Sequence, residues 1–265
     1  MSESFVPLLA ALAYLIAAGA LVRSLRDGNT QTRSVLWLAL PAIVLHAATH
    51  ALGWAHLHGP DLHFFAALSL VGLGMAALST LAAGTQRMEA LGVVIYPFAA
   101  FLVLLYHFAG HGHAENLDWR LQLHAWLALL AYAALAVAAL IAVMLWFQER
   151  ALRQRQLHGW LRALPPLVQL EALLFRSLTA SFLLLTLALI TGVMFVQNLL
   201  AQHLWHKTVL SFLSWLVLAI LLFGRWRFGW RGPRAVKLTL TSMALLLLAY
   251  FGSKFVLEMV LGRAT

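Results

Sequence analysis

The feature that most constrains this chain is a succession of apolar segments, each about long enough to cross a lipid bilayer. A spanning helix needs about 20 apolar residues. With 63% hydrophobic and 10% charged residues, the composition excludes a water-soluble globule. The sequence therefore predicts an all-α polytopic membrane protein with about eight transmembrane helices. The eight candidate spans are Phe5–Val22, Val35–Trp54, His63–Ala83, Ala90–Phe108, Leu121–Phe147, Ser177–Asn198, Val209–Gly224 and Leu238–Leu261.

The domain organisation is predicted to be simple. We expect residues 1–265 to form a single integral-membrane domain without a separate soluble domain. The longest connection, residues 148–176, contains Pro165 and Pro166, and leucines then recur at helical spacing from Leu167. This pattern predicts an amphipathic connection on the cytoplasmic membrane surface that leads into the sixth span.

Lysine and arginine residues are concentrated in alternate loops, which predicts the orientation in the membrane. Most of the 18 basic residues follow the first, third, fifth and seventh spans. The positive-inside rule places these loops in the cytoplasm and both termini outside. The net charge of +9 is therefore a topology signal, and we expect no nucleic-acid partner.

The 12 histidines are concentrated on the side opposite to the basic loops. His46 and His50 lie within the second span, and His124 lies about one turn inside the outer end of the fifth. The helical rise predicts that His50 and His124 share a layer below the outer surface. An intramembrane histidine is a functional hypothesis by default, although a hydrogen bond across helices explains His46 and His50 equally well. The outer loops or their edges contain His56, His58, His63, His107, His111, His113, His203 and His206.

Imidazole on the outer side suggests metal or haem chemistry. Neutral imidazole binds haem iron, zinc or copper. The chain has no cysteine, which excludes disulfides and thiolate ligands from this chain. Aromatic residues near the same side could form the walls of a porphyrin site, although anchoring at the membrane interface is the alternative for each tryptophan. They are Trp54, Phe64, Phe65, Tyr106, Phe108, Trp119, Trp126 and Trp205.

Several short motifs occur in a fixed order along the chain. They are His124-Ala125-Trp126-Leu127, the Ala131–Leu135 segment, Leu170-Glu171, Phe175, Leu185-Thr186, Thr191-Gly192, Lys207-Thr208, Ser214-Trp215, Trp230-Arg231-Gly232 and Tyr250-Phe251-Gly252. Together, residues 63–262 resemble the cytochrome c assembly protein family of the CcsA/ResC type. Within that family the chain most resembles the small inner-membrane YpjD branch.

The resemblance implies a protein that presents haem at the outer face for attachment to apocytochrome c. His124 falls on the family's first external histidine, which makes it the expected ligand of the haem iron. The Gln202–Lys207 segment keeps one tryptophan where the family has a loop rich in Trp and Asp. Phe223 replaces a membrane histidine, and no histidine follows Phe251 and Gly252. The second ligand would come from the remaining candidates, which are His46, His50, His203 and His206, with Trp119, Trp126 and Trp205 as candidate haem contacts.

Three functions remain open at this stage. The first is a haem-binding assembly factor without its own nucleophile, in a bacterial-type inner membrane, with apocytochrome c or other cytochrome assembly proteins as partners. The second is an adaptor of the same fold that has lost the haem site. The third is a metal-ion transporter, although Glu258 is the one acidic residue within the predicted spans, and it lies four residues from Lys254, with which it can pair.

Overall fold

The secondary structure of the described residues consists of helices joined by short connections. The structure is a computed structural model that describes residues 5–27, 37–83, 89–109, 117–154, 166–195 and 205–260. No strand occurs within these ranges. This confirms the predicted all-α fold class. The helices are α1 (Phe5–Arg26), α2 (Ala39–Leu57), α3 (Phe64–Ala83), α4 (Glu89–Ala109), α5 (Trp119–Arg153), α6 (Leu167–Phe195), α7 (Trp205–Phe228) and α8 (Pro233–Leu247), and α8 continues into π-helical turns at Leu248–Gly252 and Phe255–Val260.

Seven of these eight helices are long and apolar enough to cross a membrane. The exception is α2, which has 19 residues but carries His46, His50 and His56. Imidazole side chains lower the mean hydropathy of α2. Two of the three, His46 and His50, are nevertheless buried against neighbouring helices. The chain is therefore a polytopic membrane protein, and α2 directs two of its three histidines inward.

The described helices fall into two compact units, and the single integral-membrane domain expected from the sequence stays a prediction. The first unit contains α1–α4, and the second contains α5–α8 with the π-helical turns. In the first unit, α1 packs against α2 and α4, and α3 packs against α4. In the second, α6 packs along α5, while α8 contacts α7 and α5. Each unit therefore has its own core.

Hydroxyl groups link the helices of the second unit. Ser181 of α6 donates a hydrogen bond to the Ala131 carbonyl of α5 at 3.2 Å. Ser214 of α7 and Ser242 of α8 bond to each other, with 2.8 Å between their Oγ atoms. In an apolar solvent such bonds, together with close van der Waals packing, stabilise helix association because lipid tails compete for neither.

Helices α5 and α6 extend beyond the spans predicted from the sequence. The 35 residues of α5 give a length of roughly 52 Å, which exceeds a bilayer core of about 30 Å. Helix α6 begins at Leu167 and is continuous through Ser177, where the sixth span was predicted to begin. Leu170, Leu173 and Leu174 are buried within the second unit. Residues 155–165 of the predicted amphipathic connection lie outside the described residues, and its position on the membrane surface stays a prediction.

A tight turn joins α7 to α8 and contains the Trp230-Arg231-Gly232 motif. The Trp230 backbone N–H donates to the Gly224 carbonyl at 3.2 Å, so the turn folds back on the end of α7. Gly232, with φ of 55°, donates its N–H to the buried Glu171 carboxylate of α6 at 3.3 Å. The motif therefore anchors this turn to α6.

We predict that Gly224→Ala destabilises the protein. A Cβ atom at this position would lie 2.3 Å from Cε3 of Trp230, well inside van der Waals contact. Overpacking of this kind costs about 1–3 kcal/mol, so the midpoint of thermal unfolding in mild detergent should fall. Gly19→Ala is the control, because a Cβ atom there meets nothing within 4 Å. Equal midpoints for the two variants would contradict the packing of Trp230 on Gly224.

Candidate functional site

The imidazole ring of His124 is held in one orientation by α6. Its Nδ1 atom lies 2.8 Å from the Ala188 carbonyl oxygen and 3.3 Å from the Thr191 hydroxyl. Gly192 allows this close approach, because a Cβ atom there would lie 3.0 Å from Cε1 of the ring. A larger residue at position 192 would push the ring away from α6.

This hydrogen bond determines which nitrogen of His124 can bind a ligand. A carbonyl oxygen only accepts, so Nδ1 carries the proton and donates it to Ala188. The neutral ring then has its lone pair on Nε2. None of the residues that the structure describes forms a hydrogen bond with this Nε2. A backbone carbonyl that orients one ring nitrogen while the other faces a ligand is typical of metal-binding histidines.

His124 lines a cavity of about 200 Å³ between the helices of the second unit. Most of the wall is apolar. Lys207, Thr208 and Ser211, on the first two turns of α7, supply polar groups, and Tyr250 supplies an aromatic ring. The remaining lining residues are Ala128, Tyr132, Leu185, Ala188, Leu189, Gly192, Val193, Leu246 and Ala249.

Two ammonium groups approach the ring of Tyr250 at this cavity. The Nζ atom of Lys207 lies 6.0 Å from the ring centroid, and that of Lys254 lies 5.5 Å from it. Lys254 is buried and forms an ion pair with Glu258 at 3.3 Å, which confirms the pairing predicted from their spacing. Single π-helical turns occur frequently at functional sites, and Tyr250 lies on one of them.

The hydroxyl of Tyr132 connects the wall of the cavity to α8. It donates a hydrogen bond to the Leu246 carbonyl. The ring of Tyr132 also contacts Phe251 in a T-shaped arrangement, with 5.4 Å between the centroids. These contacts fix the position of α8 opposite His124, so the cavity is shaped by packed helices rather than by a loop.

His46 and His50 lie in the first unit and share one hydroxyl group. The Ser69 Oγ atom of α3 lies 2.8 Å from His46 Nε2 and 3.0 Å from His50 Nε2. The hydrogen bond across helices that the sequence analysis considered is therefore present. Both Nε2 atoms already have a protein partner, unlike the Nε2 atom of His124.

The other predicted site residues lie outside the cavity or outside the described residues. His203 lies outside the described residues. His206 lies in the first turn of α7, is half-buried, and contacts Trp205 with 6.4 Å between ring centroids. Trp119, Trp126 and Trp205 are exposed and do not line the cavity.

The structure also shows the surroundings of Phe223, one of the positions that depart from the family pattern. Phe223, where a membrane histidine is expected, is more than half exposed and contacts Trp226 and Phe228. Within the described ranges, no group of three or more His, Cys, Asp or Glu side chains is placed to hold a metal ion. Iron held by a porphyrin needs only one or two protein ligands, so His124 remains the chemically suitable candidate.

Several residues of this site are not among the candidate ligands that the sequence predicts. Lys207, Thr208, Gly192 and Tyr250 were visible only as parts of motifs, without a role. Gly192 lies one helical turn after Ala188, so the sequence places the two residues on the same face of α6. Only the packing of α6 against α5 shows that this face contacts His124. Ser69 had no sequence signal, because a single serine in an apolar helix is common.

Comparison with known proteins identifies the family. The model of the cytochrome c assembly protein family matches residues 62–261, nearly the segment 63–262 that the motifs indicated. The chain belongs to the cytochrome c assembly protein family. The match begins before α3 and includes every helix that lines the cavity.

Individual members of the family give a more detailed comparison. The chain is 31% identical to the inner membrane protein YpjD of Escherichia coli K12 over 261 residues, which cover 96% of this chain and 98% of that protein. It is 33% identical to the cytochrome c biogenesis protein CcsA of Prochlorococcus marinus over 91 residues, 33% of this chain and 28% of that protein. No solved structure matches the chain.

We predict that histidine acylation by diethyl pyrocarbonate distinguishes His124 from His46 and His50. The reagent attacks an unprotonated imidazole nitrogen, which His124 presents at Nε2. His46 and His50 are 0% and 1% exposed, so their modification should be slow until the protein unfolds. Mass spectrometry of peptides after timed labelling measures the three rates, with half-buried His206 as a reference. Similar rates for all three would contradict the geometry.

Proposed function

We propose that this chain binds haem through His124 and presents it to proteins that acquire haem during cytochrome c biogenesis. One observation carries this proposal. The Nδ1–H···O bond to Ala188 leaves the Nε2 lone pair of His124 available beside an apolar cavity. Membership of the cytochrome c assembly protein family supports it, as does partial similarity to CcsA proteins, whose name refers to cytochrome c biogenesis.

The residues around His124 have the chemistry that haem requires. Aliphatic side chains and the ring of Tyr250 suit the porphyrin face, and the ammonium group of Lys207 complements the negative charge of a propionate. The cavity of about 200 Å³ is smaller than the range of about 300–1,000 Å³ for pockets that enclose a drug-sized ligand. The cavity therefore suits one edge of a haem, with the rest left accessible to a partner.

Each residue of the site has a distinct part in this proposal. His124 would hold the iron and Lys207 would hold a carboxylate, while the Ala188 carbonyl and Gly192 orient the His124 ring. When bound, haem supplies the vinyl groups that react with the thiols of an apocytochrome. The present chain has no cysteine, so it contributes no thiol to that bond. It acts as a carrier or scaffold without its own nucleophile.

We infer that His206 would be the second protein ligand of the haem iron. It precedes Lys207, which lines the cavity, and lies in the first turn of α7. His46 and His50 have both Nε2 atoms hydrogen-bonded to Ser69. Iron binding through Nε2 of either histidine would break a buried hydrogen bond to Ser69, and this cost favours His206. His203 is tested beside it.

The orientation proposed for the site is towards the periplasm. The positive-inside rule supports external termini and an external histidine-rich side. The name of the E. coli relative YpjD supports an inner-membrane location. Haem held by His124 near the start of α5 would then face the periplasm.

We predict that the protein purified in mild detergent after haem-replete growth shows a Soret absorption band and that His124→Ala loses it. Loss of the ligand should lower haem affinity by at least about tenfold, the change that accompanies removal of a metal-site partner. His56→Ala is the control, because His56 is exposed at the end of α2. His206→Ala should keep the band but shift its position, because the iron would lose one of its two proposed protein ligands.

Other outcomes would favour a different function or ligand. A colourless wild-type preparation would contradict haem binding and favour the adaptor. An unchanged band in His124→Ala would exclude His124 as the iron ligand. If the band is unchanged in His206→Ala and shifted in His203→Ala, His203 would be the second ligand instead of His206.

We predict that a cysteine placed at the start of α5 is labelled from outside. The natural chain has no cysteine, so single substitutions report topology directly. In intact spheroplasts, Asp118→Cys should react with a membrane-impermeant maleimide, and Gln154→Cys at the other end of α5 should react only after lysis. The reverse pattern would place His124 on the cytoplasmic side and contradict presentation at the periplasmic face.

A further inference from the structure

A chain of polar side chains runs through the core of the first unit. Its centre is Tyr14, His46, Ser69 and His50, from α1, α2 and α3, and all four are buried. Tyr14 Oη lies 3.3 Å from His46 Nδ1, and Ser69 joins the Nε2 atoms of the two histidines at 2.8 and 3.0 Å. Polar groups are costly inside a membrane protein and often mark proton pathways.

The donors and acceptors of this chain can be arranged in two complete orders. In the first, Tyr14 donates to His46 Nδ1, His46 Nε2–H donates to Ser69, and Ser69 donates to His50 Nε2. In the second, His50 Nε2–H donates to Ser69, Ser69 donates to His46 Nε2, and His46 Nδ1–H donates to Tyr14. A neutral imidazole carries one proton, so both orders use neutral side chains throughout. They differ only in the positions of the protons.

The chain continues towards the start of α3 through Tyr106 and Asp61. The ring of Tyr106 stacks on His50, with 4.6 Å between centroids, and its hydroxyl donates to Asp61 at 3.5 Å. Asp61 is completely buried, and its other carboxylate oxygen lies 2.6 Å from Nδ1 of His63. The His63 side chain is 17% exposed. An acid and an imidazole thus connect the buried histidines with the surface.

Towards the other end of α3, the chain continues through Tyr96 and Thr80. The rings of Tyr14 and Tyr96 stack with 5.9 Å between centroids, and the Tyr96 hydroxyl lies 2.9 Å from that of Thr80. From Phe64, next to His63, to Thr80 there are sixteen helical steps, or about 24 Å of α3. This distance is most of a hydrocarbon core of about 30 Å.

We propose that the first unit contains a proton relay that links Tyr14 through His46, Ser69 and His50 to Asp61 and His63. One proton enters at Tyr14 as Tyr14 passes its own to His46 Nδ1. His46 passes its Nε2 proton to Ser69, Ser69 passes its proton to His50 Nε2, and His50 releases its Nδ1 proton towards Asp61. One proton enters and one leaves. Rotation of the hydroxyls and exchange of the ring tautomers restore the first order, and the relay requires a water molecule at each of the two stacked contacts during transfer.

The relay is tested by proton flux into vesicles that contain the full-length protein. A potassium gradient with valinomycin sets a negative interior potential, and trapped pyranine reports acidification. The wild-type protein should carry more protons than protein-free vesicles. Ser69→Ala removes the hydroxyl that lies within hydrogen-bond distance of both histidines and should lower the flux by at least about tenfold. Ser69→Thr keeps the hydroxyl and should retain the flux.

Two further variants separate transport from stability. Ser79→Ala is the matched control, because Ser79 is a buried serine of the same helix that donates only to the Ala76 carbonyl. His63→Ala removes the partly exposed partner of Asp61 and should also lower the flux. Wild-type flux no higher than that of protein-free vesicles would overturn the relay. Equal flux in Ser69→Ala and Ser79→Ala would also overturn it and leave the histidine pair a packing element.

Discussion

The lack of water in the bilayer core is the constraint on which the rest of this structure depends. A polar group between apolar helices must find its partner within the protein. Ser69 satisfies two histidines at once, and the Ala188 carbonyl satisfies His124. The carbonyl determines which nitrogen of His124 carries the proton, whereas the hydroxyl allows either proton arrangement at His46 and His50. The same constraint that holds the helices together therefore sets the chemistry of the histidines.

Identical side chains acquire different properties in the two units for this reason. His46 and His50 have their Nε2 atoms bonded to a hydroxyl, which can donate and accept, so protons can be exchanged through it. His124 has its Nδ1 atom bonded to a carbonyl, which only accepts, so its tautomer is fixed. A fixed tautomer suits metal binding, and an exchangeable one suits proton transfer.

The sequence was sufficient for the fold class because apolar length and charge placement depend on local composition. It was also sufficient to single out His46, His50 and His124, since an imidazole in an apolar helix is conspicuous. It could not show that Ser69 bonds two histidines or that Gly192 contacts a third, because these contacts depend on how helices distant in sequence pack. The 19-residue helix α2 is a second example of what composition alone does not show. Its histidines lower its hydropathy, and only tertiary packing shows that they are buried.

A carrier must hold its cargo firmly enough to orient it and loosely enough to release it. An enclosed pocket would favour retention, because burial of a porphyrin on all sides stabilises the complex through its whole apolar surface. A cavity of about 200 Å³ beside His124 would bury only part of that surface. In the proposed carrier, most of the orientation would then come from the iron–imidazole bonds and from the charge of Lys207. An arrangement that fixes the haem by a few directional contacts and leaves most of it exposed is suited to transfer rather than to storage.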